Sequence, residues 1–451
     1  LTGVRPTYAV HKGWSNYVCA KQTIDTIDTI TNNPVNRRWT APGAEIKDAA
    51  AKLVAGVSVS GPKPKRTKGK VAAKPSGPDQ ALELFRLVAW AIQQVAEERS
   101  GDKNTYTGAI TGREWEHVSV ASGECLGKEC PLADWCLPKK ARAKVAVADL
   151  IVTNHALLGV QAAKSAKTVL GSAKLGRVDH LIVDECHALP QVVRNQGAAE
   201  VSERSLHAVV AAYARSFGDE RGGKSPLELA GESAIADVVA EMTDRINRQR
   251  DKGPVRLAAD AGDPLAMTGP KMQNWLEEAK DRIDAQLALT PYGSVGQIKL
   301  MRLRSRVENT ASALKAVREG QPGVARWMEM ITGRDGLPYP TAQSSPVDVA
   351  PMLRSQLWVV DQPSKFDDSG FEGEPDDGEE SGERSREPIT VATMSATVPR
   401  GFTVQAGLSC RTTVYPTPFD DAYDGSALYV PILTRDNAQE VCRDGWNGRL
   451  Q

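Results

Sequence analysis

Three short apolar runs, each ending abruptly in polar residues, constrain this chain more than any other feature. Leu150-Ile151-Val152 runs into Thr153-Asn154-His155, and Leu181-Ile182-Val183 runs into Asp184-Glu185. Ile389 to Thr393 runs into Met394-Ser395-Ala396-Thr397. Strands this short and this rich in β-branched residues fit a parallel sheet covered on both faces. Open α/β sheets bind their ligands at the carboxyl ends of the strands. The polar residues just after each run are therefore the first candidates for chemistry, and the expected fold class is α/β with a parallel sheet.

A long stretch between the second and third runs has a helical period instead. Leu206, Val209, Val210, Tyr213 and Phe217 recur at helical spacing, as do Ile235, Val239, Met242 and Ile246. Met272, Leu276, Ala279 and Ile283 do the same, and Leu300, Leu303, Val307, Thr310, Leu314 and Val317 alternate by three and four. These stripes read as core, and 198–333 as a helical insertion in the α/β domain.

The chain's 451 residues suggest about three domains. Its 41% hydrophobic content supplies a sizeable core. Fifty-six basic residues balance 56 acidic ones, which excludes a generally basic nucleic-acid coat but leaves room for a local basic groove. Two charge blocks break the pattern. Residues 61–78 hold six basic residues and no acid, and residues 366–387 hold ten acids against two arginines. Both read as solvated loops, the first with a chance of touching phosphate. No apolar run is long enough to cross a membrane, the first residues lack a secretory stretch, and seven cysteines do not suggest a disulfide framework. A cytoplasmic protein with a metal site is the expectation.

Cys125, Cys130 and Cys136 are spaced C-x4-C-x5-C, and Cys19 lies 106 residues upstream. Four thiolates suit a tetrahedral zinc or a [4Fe–4S] cluster. Structural zinc favours tighter pairs, so the wide spacing leans toward the cluster. Cys186, Cys410 and Cys442 stand alone and read as small packing residues.

At the end of the second strand, Asp184-Glu185-Cys186-His187 has the order of a nucleotide-hydrolysing site. An aspartate in that position can hold Mg²⁺, directly or through water, beside nucleotide phosphates, and the next glutamate can orient and deprotonate the attacking water. The Ser395–Thr397 segment after the third strand fits a motif that links hydrolysis to movement.

In order and approximate spacing, these stretches resemble the DinG/XPD family of superfamily 2 DNA helicases, closest to the bacterial and phage DinG branch. The matching segments are KGWSNYVC (12–19), the cysteine loop, ADLIVTNHALL (148–158), LIVDECHALP (181–190), SSPVDVAPMLRSQLW (344–358), ATMSATV (392–398) and PTPFD (416–420). The resemblance implies a RecA-like motor domain carrying two insertions. The motor would comprise 1–18, 145–197 and 334–430; an iron–sulfur domain, 19–144; and a helical arch, 198–333. Residues 431–451 would open a second motor domain or form a tail. The resemblance also implies ATP-driven 5′→3′ translocation on single-stranded or forked DNA, with Mg²⁺ and a [4Fe–4S] cluster. Its ligands would be Cys19, Cys125, Cys130 and Cys136. Asp184 and Glu185 would be catalytic, His187 would couple the site to DNA, and Ser395 and Thr397 would relay the nucleotide state. Asn154 and His155 would face DNA or ATP, or else cap a helix. Lys139, Lys140 and Arg142, just after the third loop cysteine, are candidate DNA contacts.

Two departures accompany the resemblance. Cys186 stands where the DEAH tetrad has alanine. The family's phosphate-binding loop belongs upstream of Lys12 and its second motor domain after Asp420, so these 451 residues are expected to hold one incomplete half, leaving room for a separate chain to supply the rest. The alternative is a non-catalytic DNA-binding module that keeps the cluster and arch. Gly218 to Ser225 matches G-x-x-x-x-G-K-[ST] letter for letter, but a working phosphate loop joins a strand to a helix. Here a helix precedes it, so an interhelical turn is expected.

Overall fold

The computed structural model describes residues 5–30, 42–57, 78–108, 110–172, 175–218, 223–249, 253–258, 262–291, 294–333, 336–363 and 384–415. Most of the expected basic loop, the expected acidic loop up to 383, PTPFD, Cys442 and 431–451 lie outside the described residues. Leu1–Leu408 form one compact unit and Ser409–Gln451 a second, described only to residue 415.

Strand β1 (Tyr8–Val10) precedes α1 (Ala20–Ile30), α2 (Pro42–Val57) and α3 (Pro78–Ala96). Helices α4 (Gly112–Trp115) and α5 (Leu137–Ala146) flank the cysteine loop. Then come β2 (Leu150–Val152), α6 (His155–Lys164), β3 (His180–Val183) and α7 (Leu189–Gly197). β4 (Ala199–Ser202) leads to α8 (Glu203–Phe217), α9 (Pro226–Asn247), β5 (Val255–Leu257), α10 (Gly269–Leu289) and α11 (Val295–Arg318). Strands β6 (Val324–Thr332) and β7 (Pro338–Pro346) form a hairpin. α12 (Ala350–Leu353), β8 (Val359–Pro363), β9 (Arg384–Pro388), β10 (Thr390–Thr393) and α13 (Phe402–Gln405) follow.

The three apolar runs are β2, β3 and β10, and all pair in parallel. β2 pairs with β1, Tyr8 opposite Leu150. β10 pairs with β3, and Thr393 lies opposite Val183. The second register is the consequential one, because it sets Asp184 and Glu185 beside Met394 and Ser395. The mixed α/β class with parallel strands is therefore present. Leu181, Val183, Cys186, Leu189 and Val193 bury their side chains with Leu353, Leu357 and Trp358, anchoring the strand end. Each fully buried large apolar side chain contributes about 1.5–3 kcal/mol.

The helical stripes pack together as expected, with Leu206, Val209, Ile235, Met242, Leu276, Ile283, Val307 and Leu314 in one core. The insertion is not purely helical, however. β4, β7, β6 and β5 form an antiparallel sheet in that order, and Val201, Met328 and Ala342 join the same core. Two smaller expectations are corrected. Residues 384–387 of the acidic segment lie in β9, paired with β8. Cys410 is exposed rather than packed, whereas Cys186 is buried.

A third core surrounds α1. Val18, Ile24, Ile27, Leu87, Val88, Val95, Trp115, Leu132 and Leu137 are buried together. It brings Cys19, at the start of α1, against the cysteine loop. Among the described residues, no helix is long and apolar enough to cross a membrane.

Candidate functional site

The β3–β10 pairing builds a polar corner from two strand ends. Met394 N–H donates to Val183 O (2.9 Å), and Cys186 N–H donates to Met394 O (3.0 Å). The backbone turns there through Glu185, which has a left-handed φ of 47°. That conformation disfavours a side-chain-bearing residue by about 1–3 kcal/mol and persists only where its surroundings over-determine it.

Several contacts hold it. Ser395 Oγ donates to Glu185 Oε2 at 2.8 Å, and His187 Nδ1 lies 2.8 Å from Ser395 Oγ and 3.2 Å from Glu185 Oε2. Thr397 N–H donates to Ser395 Oγ at 3.2 Å. Asp184 Oδ1 accepts the Glu185 N–H at 2.9 Å. The structure thus brings Asp184, Glu185, His187, Ser395 and Thr397 together, with Asp184 and Glu185 exposed. His155 Nε2 lies 2.9 Å from Asp184 O, tying β2's end to the same corner. Asn154 caps α6, its Oδ1 accepting the Leu157 N–H at 3.1 Å. Cys186 packs below, its thiol pushed up by burial and partly offset by a hydrogen bond with Thr393.

Gly218–Ser225 has no part in this corner. Gly218 ends α8, Ser225 Oγ caps α9, and Lys224 pairs with Glu232 at 2.6 Å. This is the interhelical connection expected; residues 219–222 lie outside the described residues.

The second constellation is a cavity of about 780 Å³ lined by Cys19, Cys125, Cys130 and Cys136. Cys125 Sγ accepts the Gly127 N–H at 3.4 Å, and the backbone N–H groups of Gln22, Leu132 and Lys139 pull down the thiols of Cys19, Cys130 and Cys136. Cys136 sits at the N-terminus of α5, where the helix dipole favours a thiolate. Against these donors, burial raises the Cys19 and Cys130 thiols and pushes Cys136 up to about 11. Among the described residues no group of three or more His, Cys, Asp or Glu side chains converges to hold a metal ion. The thiols line a cavity rather than meeting at a point.

Of the candidate DNA contacts, Lys140 pairs with Glu98 at 2.7 Å, and Arg142 lies 4.5 Å above the Trp14 ring. Sequence reasoning missed Arg302 on α11. Its Nε donates to Glu124 Oε2 (3.0 Å), and its Nη2 donates to Glu116 O (2.9 Å) and Ser119 O (2.5 Å). It also missed a buried pair in α1, where Lys21 Nζ lies 2.5 and 2.6 Å from the Asp25 carboxylate.

No protein-family model matches the chain. It is 32% identical over 203 residues to the ATP-dependent helicase DinG of Mycobacterium tuberculosis strain H37Rv, covering 45% of this chain and 24% of that protein. The Mycobacterium bovis DinG matches to the same extent. The ATP-dependent DNA helicase YoaA of Escherichia coli K12 is 30% identical over 129 residues, 28% of this chain and 19% of its own. The chain thus spans about a quarter of the length of the DinG relatives it matches.

Proposed function

Because the chain belongs to the DinG-like helicase family, we propose that it forms part of an ATP-dependent 5′→3′ DNA helicase that moves on single-stranded DNA. The observation that carries this reading is the bridge formed by Ser395 between Glu185 and His187 at the ends of two parallel strands. In the proposed roles, Asp184 holds Mg²⁺, which neutralises phosphate charge, and Glu185 orients and deprotonates the attacking water. Ser395 has one proton and shares it with the Glu185 carboxylate. A change in Glu185 during hydrolysis is therefore felt by His187 and, through the Thr397 N–H, by the segment after β10. Asn154 and His155 shape the neighbouring strand end.

The donor set supports a [4Fe–4S] group on Cys19, Cys125, Cys130 and Cys136. The four cysteines line one cavity of about 780 Å³, and Cys125 Sγ there accepts the Gly127 N–H. Cys19, Cys125, Cys130 and Cys136 would hold such a group, which would cross-link the start of α1, the cysteine loop and the start of α5 and stiffen that region, with Lys139 and Lys140 following Cys136 in sequence.

One observation favours the rival, a DNA-binding module without hydrolysis: the phosphate-loop-like string Gly218–Ser225 lies between two helices, with Lys224 paired to Glu232. DNA-stimulated ATP turnover, measured on the protein as the cell makes it, separates the two. Glu185→Gln is expected to lower turnover by roughly 10²–10⁴ while leaving single-strand binding intact, the loss typical for a general base. DNA binding without any turnover in the wild type would establish the rival reading. The 451 residues alone are expected to turn over little ATP, since phosphate cradling supplies much of the transition-state electrostatics.

A further inference from the structure

We propose that Trp14 and Arg142 donate hydrogen bonds to the sulfur of the group held by the four cysteines, and thereby set its reduction potential. The inference rests on the cluster reading above. Trp14 Nε1 and Arg142 Nε are buried without a hydrogen-bond partner, and both residues line the cysteine cavity. Indole and guanidinium nitrogens are donors only, and a buried donor left unpaired is costly enough to be rare. Two such donors, buried in residues that border one cavity, point to an occupant with acceptors of its own.

The thiols do not meet that demand, because neither donor has a cysteine sulfur within hydrogen-bond reach. A zinc ion adds no acceptor. Inorganic sulfide adds several. Stacking holds the Arg142 guanidinium 4.5 Å above the Trp14 ring, so the two donors are fixed relative to each other. Burial works against the Arg142 charge, while Tyr17, Cys125 and Cys136 favour it electrostatically. Hydrogen bonds to sulfur are a recognised control on cluster potential. They stabilise the more negative, reduced form, so removing one lowers the potential.

The test compares wild type, Trp14→Phe, Arg142→Lys and Arg142→Gln, purified anaerobically, with iron and acid-labile sulfide counted first. Dye-mediated titration followed in the visible spectrum then gives each midpoint. Trp14→Phe keeps the ring and loses the N–H; Arg142→Lys keeps the charge and loses the Nε donor. At fixed ambient potential, each is expected to shift the oxidised-to-reduced ratio about tenfold toward oxidised, or about 59 mV for one electron. Wild-type midpoints in loaded Trp14→Phe and Arg142→Lys overturn the inference and leave the cluster reading standing. Zinc without sulfide in the wild type overturns both. Should Arg142→Gln fail to load, Trp14→Phe still decides.

Discussion

Glu185 combines the chemical role proposed for it with an unfavourable backbone, and the two are separable. Glycine adopts its φ of 47° freely, whereas glutamine inherits the strain. Glu185→Gly is therefore expected to be more stable than Glu185→Gln by about 1 kcal/mol, read from denaturant midpoints. Lys21 and Asp25 make the opposite kind of residue-scale trade. Despite contact with Lys21, burial raises Asp25 from 3.8 to about 6. An acid whose folded pKa is raised binds its proton more tightly when folded. Its contribution to stability is full below about pH 4 and is lost as pH rises toward 6, a change on the order of 3 kcal/mol. A Lys21→Met/Asp25→Leu double variant should lack that slope and be as stable as wild type at pH 7 or more so. Lys21→Met alone should cost about 3–5 kcal/mol by stranding a buried charge. The Asp184–His187 and Ser395–Thr397 residues were legible in the sequence because strand-end chemistry demands particular side chains in a particular order. The Lys21–Asp25 pair and the stacking of Arg142 on Trp14 were not. A lysine four residues from an aspartate looks the same buried or solvated, and only the fold brings Trp14 to Arg142.

At the scale of elements, Arg302 fastens α11 to the cysteine loop across 178 residues of sequence. Three acceptors share one guanidinium. Arg302→Ala should therefore speed amide exchange in 116–125 by up to two orders of magnitude, the equivalent of about 1.5–3 kcal/mol for hydrogen bonds to a charged group. Arg302→Lys should rescue this only partly, because an ammonium lacks the planar fork. The helices were legible from their stripes, but the sheet among them was not. β6 alternates, yet Arg326 occupies one of its two buried positions, donating to Val317 O and Arg318 O at the end of α11. A charge on the inward side erases the two-residue pattern by which a strand is recognised.

For the molecule as a whole, 56 basic and 56 acidic residues leave no net charge to draw DNA in. If the chain binds DNA as proposed, affinity comes from a few local cations, and log affinity falls linearly with log salt at a slope near −0.7 per phosphate on a single strand. Lys140 lies 5.9 Å above the Trp135 ring and makes an exposed pair with Glu98, which is weak enough to exchange for phosphate. Lys139→Glu/Lys140→Glu should flatten that slope, measured by fluorescence anisotropy, without changing iron content. An unchanged slope would remove this patch from the DNA path.

The pairing of β4 with β7 has a consequence for how such chains vary. Ala199 lies opposite Ser344, so the polypeptide departs for the helical region and returns through adjacent strands. The intervening residues hang on a stem of two paired strands, with a second tie where Arg302 of α11 meets the cysteine loop. Doubling the length between the paired strands adds only about 0.6 kcal/mol of closure entropy. Splicing material in or out beyond the stem therefore leaves the strand-end corner undisturbed, and related chains should differ most in length there.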